Sequence, residues 1–269
     1  MTTRMTAQRL GRLIAAGAAD EVRTAVEASP RLLERTVERA GQGGWTPLHL
    51  AVAEGQAEIV RLLVEAGADL TARTEHHRTP LHVALEFCPD LVPVLRELGA
   101  ELDGPSAAYL GDVRRLRAHL DDGAGVNDRS SGLDLLSWAA LGGATSAAKL
   151  LLERGADADG GALHAAASSA RPAMVKLLLD AGADVDRRDP ETGRAPLHAA
   201  VAAGPGDDST AIVRVLLAAG ADINATTNDG ASALDISRVA AARHRRVDAG
   251  RATGNDALAE LLVSHGATE

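Results

Sequence analysis

Histidine is the side chain most often recruited as a metal ligand or as a general base near neutral pH, and here four histidines share one local setting. His49 and His82 each close the tetrapeptide Thr-Pro-Leu-His, His198 closes Ala-Pro-Leu-His, and His164 closes Ala-Leu-His. Four imidazoles of this kind would suit metal binding or acid–base work only if the fold made them converge. A second group, His76 and His77 between Glu75 and Arg78, lies outside that pattern. Together with Glu86 and Tyr109 it contains the imidazole, carboxylate and phenol that proton transfer on a small molecule would need. No CxxC, HExxH or GxxxxGKS/T spacing occurs, so zinc-binding, metalloprotease and P-loop chemistry have no sequence support. No catalytic residue, metal ligand or cofactor is therefore assigned.

The elements that would carry these histidines are clearest in Gly44 to Arg73. Thr46 stands where a helix N-cap belongs, and Pro47 follows at the first helical position with φ already set. Leu48, Ala51 and Val52 fall at helical spacing and Gly55 ends the run, which predicts a first helix of about two turns. Ile59, Val60, Leu62 and Leu63 predict a second helix, closed by Gly67. Helices shorter than about 12 to 15 residues are marginal alone in water, so such a unit must stack on others like it.

The Gly-Ala pair that closes the second helix recurs at Gly67, Gly99, Gly123, Gly155, Gly182, Gly220 and Gly266, irregularly spaced about a period of roughly 33 residues. With the TPLH variants and the GAD tripeptides at Gly67, Gly155, Gly182 and Gly220, the chain resembles the ankyrin repeat family over nearly its whole length. The resemblance implies an all-α ankyrin-repeat solenoid of stacked helix-turn-helix units with finger-like turns. It also implies that the TPLH histidines bond backbone groups between repeats, and that a partner protein is bound on the concave face without catalysis.

On this reading residues 1–269 form one domain. Residues 7–40 are an N-terminal cap, with Leu32, Leu33 and Val37 as an added turn or helix. Repeats follow at 44–73, 75–103, 104–128, 132–159, 160–189 and 193–224, and residues 230–269 form a capping repeat. Pro89 and Pro93 should displace or kink the second helix of their repeat. Asp134 replaces threonine as a cap, and Pro205 to Ser209 read as a turn-forming insertion. The Arg-rich insertion 238–251, with Arg238, Arg243, His244, Arg245, Arg246 and Arg251, is longer than most loops and is either partly helical or functional.

Only four aromatics occur, Trp45, Phe87, Tyr109 and Trp138. The family alignment implies concave-face positions for Trp45, Phe87 and Tyr109, and a packed position between helices for Trp138. Aromatics that lie in one groove can dominate an interface; the alternative is that they fill gaps in irregular repeats. Glu54, Glu86 and Arg78 share the expected groove, and His76 and His77 sit at a finger tip. The expected partner-binding set is thus Trp45, Glu54, His76, His77, Arg78, Glu86, Phe87 and Tyr109. The rival is an enzyme or small-molecule binder using a pocket in the second to fourth repeats.

A formal net charge of -9 argues against nucleic acid as the main ligand, since phosphate binding draws on clustered Lys and Arg. A basic or mixed protein surface fits better. Cys88 is the single cysteine, which excludes an internal disulfide framework. The first residues, MTTRMTAQRL, hold no apolar stretch of a secretory signal, and no apolar run approaches the roughly 18 residues that span a bilayer. A cytoplasmic monomer that avoids membranes is expected. Lys149 and Lys176 are the only lysines among 28 basic residues, a bias that suggests a high-GC bacterial genome.

Overall fold

Three repeats open where an extended residue, Thr46, Thr79 or Asp134, stops the chain and its side chain caps a short helix. At Thr46 (φ -74°, ψ 164°) the hydroxyl accepts the His49 N–H at 3.4 Å, while the Thr46 N–H donates to His49 Nδ1 at 3.2 Å. The imidazole thus plays the part that Glu or Gln plays in an ordinary capping box. Thr79 and His82 repeat the arrangement with both bonds at 3.3 Å, and Asp134 caps through the Ser137 N–H at 2.7 Å. Ala195 has no hydroxyl, yet its N–H still donates to His198 Nδ1 at 3.0 Å.

A ring nitrogen that accepts cannot carry the proton, so Nε2 must carry it and donate. His49 Nε2–H meets the Arg78 carbonyl at 3.0 Å, His164 the Arg194 carbonyl at 2.8 Å and His198 the Ala225 carbonyl at 2.9 Å. His49 and His198 therefore cap their own helices and tie them to a carbonyl in the next finger, and His164 makes the second of these bonds. His82 differs, reaching the Asp103 carboxylate at 3.1 Å, where Asp103 also accepts from the Ser106 N–H and hydroxyl. Burial alone would raise the pKa of Asp103, but the hydrogen bonds from His82 and Ser106 hold it down at about 2.

The computed structural model describes residues 5–39, 41–204, 206–247 and 254–268, with only the backbone path for 243–247 and 254–256. Its helices run α1 Ala7–Ala15, α2 Ala19–Ala28, α3 Pro47–Ala53, α4 Ala57–Glu65, α5 Pro80–Phe87, α6 Val92–Glu97, α7 Gly104–Leu110 and α8 Val113–Asp121. They continue with α9 Leu135–Gly142, α10 Thr145–Glu153, α11 Ala162–Ser168, α12 Pro172–Asp180, α13 Pro196–Ala202, α14 Asp207–Ala218, α15 Ala233–Val247 and α16 Gly254–Ser264. The contacts group into two compact units, one of Met1–Ser106 with Arg129–Leu133, the other of Ala107–Asp128 with Asp134–Glu269.

In the first unit α1, α3 and α5 form one row and α2, α4 and α6 a second. In the second unit α9, α11, α13 and α15 form one row, α8, α10, α12 and α14 the other, and α16 packs on α15. The row from α9 to α13 is close-set because Ala139, Ala140, Ala166, Ala167 and Ala200 are fully buried along it. At Gly142 the approach is closest: an added Cβ would lie 2.0 Å from the Tyr109 carbonyl oxygen, so only glycine fits. Trp138, expected between helices, is fully buried beside Tyr109, ring centroids 6.4 Å apart. The seven Gly-Ala glycines all have φ between 86° and 104°, the left-handed helix stop their spacing implied.

A ladder not foreseen from the sequence joins the turns of the second unit. Asn127, Asp159 and Asp186 each accept, through a side-chain oxygen, the backbone N–H of Asp157, Asp184 and Asp222 in the following repeat, and Asn224 accepts that of Thr268. Backbone donors that would be orphaned between repeats are satisfied in this way.

Two local expectations need correction. Leu32 and Leu33 lie in a 3-10 turn, Pro30–Glu34, but Val37 is not part of an added turn or helix. It begins β1, Val37–Arg39, which pairs antiparallel with β2, Gln42–Trp45. Asp207, Asp208 and Ser209 are not a turn: they form the first turn of a longer α14. Acidic residues at a helix N-terminus suit its dipole. The proline-rich stretch does displace its helix, Pro89–Leu91 forming a 3-10 turn before a short α6. In the Arg-rich insertion the α15 helix runs through Arg238 to Val247; the side chains of Arg243, His244, Arg245 and Arg246, and all of Arg251, lie outside the described residues.

The buried cap of α3 makes stability depend on pH. Burial lowers the pKa of His49 from 6.5 to about 4, against the opposing pull of the Arg78 carbonyl. Between those values the unfolded chain binds a proton that the folded chain refuses. The contribution is complete above pH 6.5 and is lost as pH falls to about 4, by about 3 kcal/mol in all. Urea unfolding midpoints should fall across this window, and the fall should flatten in His49→Gln, whose amide does not titrate; an equal slope in both would remove His49 as the cause.

Candidate functional site

β2 delivers Trp45 immediately before the Thr46 cap, and α5 ends at Phe87 because Cys88 turns extended before Pro89. The two rings meet edge to face, centroids 6.2 Å apart with 68° between planes. Trp45 is 3% exposed and Phe87 48% exposed. Arg39, from β1, lays its guanidinium 5.1 Å from the centroid of Trp45 and 5.4 Å from that of Phe87. Its Nη2 also donates to Glu54 Oε1 at 3.1 Å, at the C-cap of α3. A partly exposed ion pair contributes only a few tenths of a kcal/mol, while each cation–π contact adds about 0.5 to 1 kcal/mol. Stacking is therefore the larger constraint on Arg39. The Trp45 Nε1–H is buried and has no hydrogen-bond partner among the described residues.

Beside this platform the first unit holds a cleft of about 360 Å³ between α1 and β1. Gln8, Gly11, Arg12 and Ala15 form its helical wall at spacing i, i+3, i+4 and i+7, all of β1 forms the other wall, and Leu50 and Glu54 also line it. A hollow of about 490 Å³ lies by the Pro30–Glu34 turn. Two carboxylates line it, Glu34 and Asp69, and Asp69 is already bonded by the N–H and hydroxyl of Thr71.

The neighbouring finger is tied internally. Arg78 has a side chain 13% exposed, places Nε 3.5 Å from Glu86 Oε2 and donates from Nη1 to the Ser131 carbonyl. Burial lowers its pKa, and Glu86 opposes that shift. Arg73 donates to the carbonyls of His77 and Ser130, at 3.1 and 3.3 Å. Segment Arg129–Leu133 is thereby held on the turn so closely that a Cβ at Gly132 would lie 2.4 Å from the His76 carbonyl oxygen. The side chains of His76 and His77 are exposed, and His77 adopts φ 59°, unusual for a residue other than glycine.

The model of the ankyrin repeat family (three copies) matches residues 15–104, 106–189, 136–227 and 163–268. The chain belongs to the ankyrin-repeat family. Among curated relatives it is similar to the human B-cell lymphoma 3 protein, 35% identical over 215 residues, covering 73% of this chain and 40% of that protein. Protein fem-1 homolog A of Danio rerio is 37% identical over 91 residues, covering 29% and 15% respectively. The NF-kappa-B inhibitor cactus of Drosophila yakuba is 42% identical over 66 residues, covering 24% and 14%. The matches thus span at most 40% of these relatives' own lengths.

Within this ankyrin-repeat chain the expected site residues divide. Trp45, Glu54, Phe87, Arg78 and Glu86 lie in the first unit, the first three joined through contacts to Arg39 or to one another, the last two as an ion pair. Trp45 does not present its ring to solvent: it is the buried support of the exposed Phe87. Tyr109 belongs to the second unit, against Trp138. For the rival enzyme set, Glu86 is drawn to Arg78, and the exposed His76 and His77 line neither the cleft nor the hollow described above. Among the described residues no group of three or more His, Cys, Asp or Glu could hold a metal ion. Nor is any described helix long and apolar enough to cross a membrane.

Arg39 was missed because Val37, at the start of β1, reads as part of an added turn or helix. The signal was present in Gly41, Gly43 and Gly44 between Val37 and Trp45, a glycine-rich reversal suited to a hairpin. Arg39→Ala should cost about 1 to 2 kcal/mol in unfolding free energy, from one lost ion pair and two lost ring contacts. It should also shift tryptophan emission to the red as Trp45 gains water, while buried Trp138 stays unchanged. Unaltered emission would show that Arg39 does not cover the ring.

Proposed function

We propose that the chain is a non-catalytic binding module whose first unit engages a partner protein through Phe87 and its supports. Protein–protein interaction is the general role of ankyrin repeats. The observation that carries the reading is the exposed ring of Phe87, seated on Trp45 and clamped by Arg39. A large apolar ring held in place before binding loses little conformational entropy on docking, which favours it as an interface anchor. Glu54 and Glu86, paired with Arg39 and Arg78, give its border mixed polarity, and His76 and His77 supply the finger edge, consistent with a mixed partner surface. In this reading the patch lies on the concave face and the whole chain, 1–269, acts as one repeat domain. The arginine-rich, lysine-poor composition fits a bacterial host, in which the proposed role is that of a cytoplasmic adaptor, inhibitor or immunity-type protein. One relative is by name an inhibitor, of NF-kappa-B. Tyr109, in the second unit, is proposed as a partner contact in its own right, and nucleic acid does not belong among the partners of an acidic monomer.

Affinity capture from host lysate tests the site. Phe87→Ala should keep the circular dichroism of the natural chain, because the ring is half exposed, and retain its partner at least ten-fold more weakly, a loss of about 1.4 kcal/mol or more. Equal retention by both chains would move the site away from Phe87.

A further inference from the structure

The cleft beside the Phe87 platform has an open backbone edge as one wall. β1 pairs with β2 through Val37↔Trp45 and Arg39↔Gln42, so Glu38 faces the two glycines Gly43 and Gly44 across a bulge. The far edge of β2 is already used: the Glu75 N–H donates to the Gly43 carbonyl at 3.2 Å, and the Gly43 N–H donates to Glu75 Oε2 at 3.0 Å. The far edge of β1 is not. Among the described residues, Val37, Glu38 and Arg39 make no backbone hydrogen bond beyond the hairpin, and all three line the cleft. An unpaired strand edge is a template for another strand.

The opposite wall leaves room for side chains because α1 presents Gly11 and Ala15 there, with Leu50 beneath. Arg12 and Glu38 border the same cleft, are exposed, and take part in no ion pair among the described residues. At about 360 Å³ the space suits one or two side chains of an extended chain rather than a helix 10 to 12 Å across. With two charged residues in three, β1 also follows the pattern by which edges discourage pairing between identical copies.

We infer that β1 receives an extended segment of the partner protein as an added strand, with an aliphatic side chain in the cleft, an acidic residue against Arg12 and a basic one against Glu38. This rests on the protein-binding reading above and specifies the form of its ligand. The guest would lie alongside Arg39 and so against the support of Phe87, which joins the two features into one surface within the first unit.

A phage-displayed random dodecapeptide library, selected on the natural chain, provides the probe. Enriched peptides should alternate aliphatic and charged residues, and synthetic copies should bind Ala15→Leu at least ten-fold more weakly, since the longer side chain fills the cleft from an exposed helix position that leaves folding intact. N-methylation of alternate peptide amides should abolish binding in one register and spare it in the other. No enrichment, equal binding by Ala15→Leu, or indifference to N-methylation in both registers would overturn the proposal. So would a dimer in sedimentation equilibrium that the peptides dissociate, because β1 would then be covered by a second copy. If Phe87-dependent capture survives any of these failures, strand addition falls while the protein-binding reading stands.

Discussion

A single imidazole with a fixed tautomer is the interaction on which the repeats of His49, His82 and His198 depend. Its Nδ1 accepts an N–H at the start of its own helix, as at Thr46, Thr79 and Ala195, and its Nε2–H reaches the next finger. Helices of seven or eight residues, such as α3 and α5, lack the length to persist alone, and the orphan donors at their starts must be met somewhere. The histidine meets one donor and one acceptor at once, so capping and stacking become a single event. That also explains why the motif tolerates the loss of the threonine hydroxyl at Ala195 but keeps the ring.

The same economy limits what these histidines can do. His49 and His198 have pKa values lowered by burial, and both nitrogens of each are occupied. A side chain so engaged has no free lone pair for a metal and no open path for a proton. Chemistry, if sought in the first unit, must use side chains that the repeat architecture leaves over. Those are found where the repeat is least regular, at the β1–β2 hairpin and at the early end of α5 forced by Cys88 and Pro89.

Irregularity also sets the character of the patch around Phe87. A hairpin in place of a simple finger brings Arg39 within reach of Glu54 and over two aromatic rings. Trp45 gives rigidity from below, and Phe87 gives apolar surface above. The charged neighbours are largely paired among themselves, Arg39 with Glu54 and Arg78 with Glu86, so the apolar ring is framed by charges already placed. Such preorganisation lowers the ordering cost of association.

Helix starts, helix stops and family membership were legible in the chain because they are local: a threonine before proline caps, and a glycine at the end of a run accepts a left-handed backbone. The second use of the histidine rings and the burial of Trp138 follow from the family resemblance, whereas the aspartate and asparagine ladder was not foreseen. The hairpin was not legible, since three residues of strand carry too little alternation to stand out from a turn. Arg39 was missed with it, and Trp45 was expected at the surface, because exposure depends on what covers a ring. The cover comes from a guanidinium and a phenyl group distant in sequence. Sequence alone therefore determined the repeat, its caps and the residue types available for binding, all set by short-range backbone and hydrogen-bond preferences. Tertiary structure alone decided which aromatic is presented, which charges are spent on one another and which strand edge stays open, because those are outcomes of contact between segments that the chain keeps far apart.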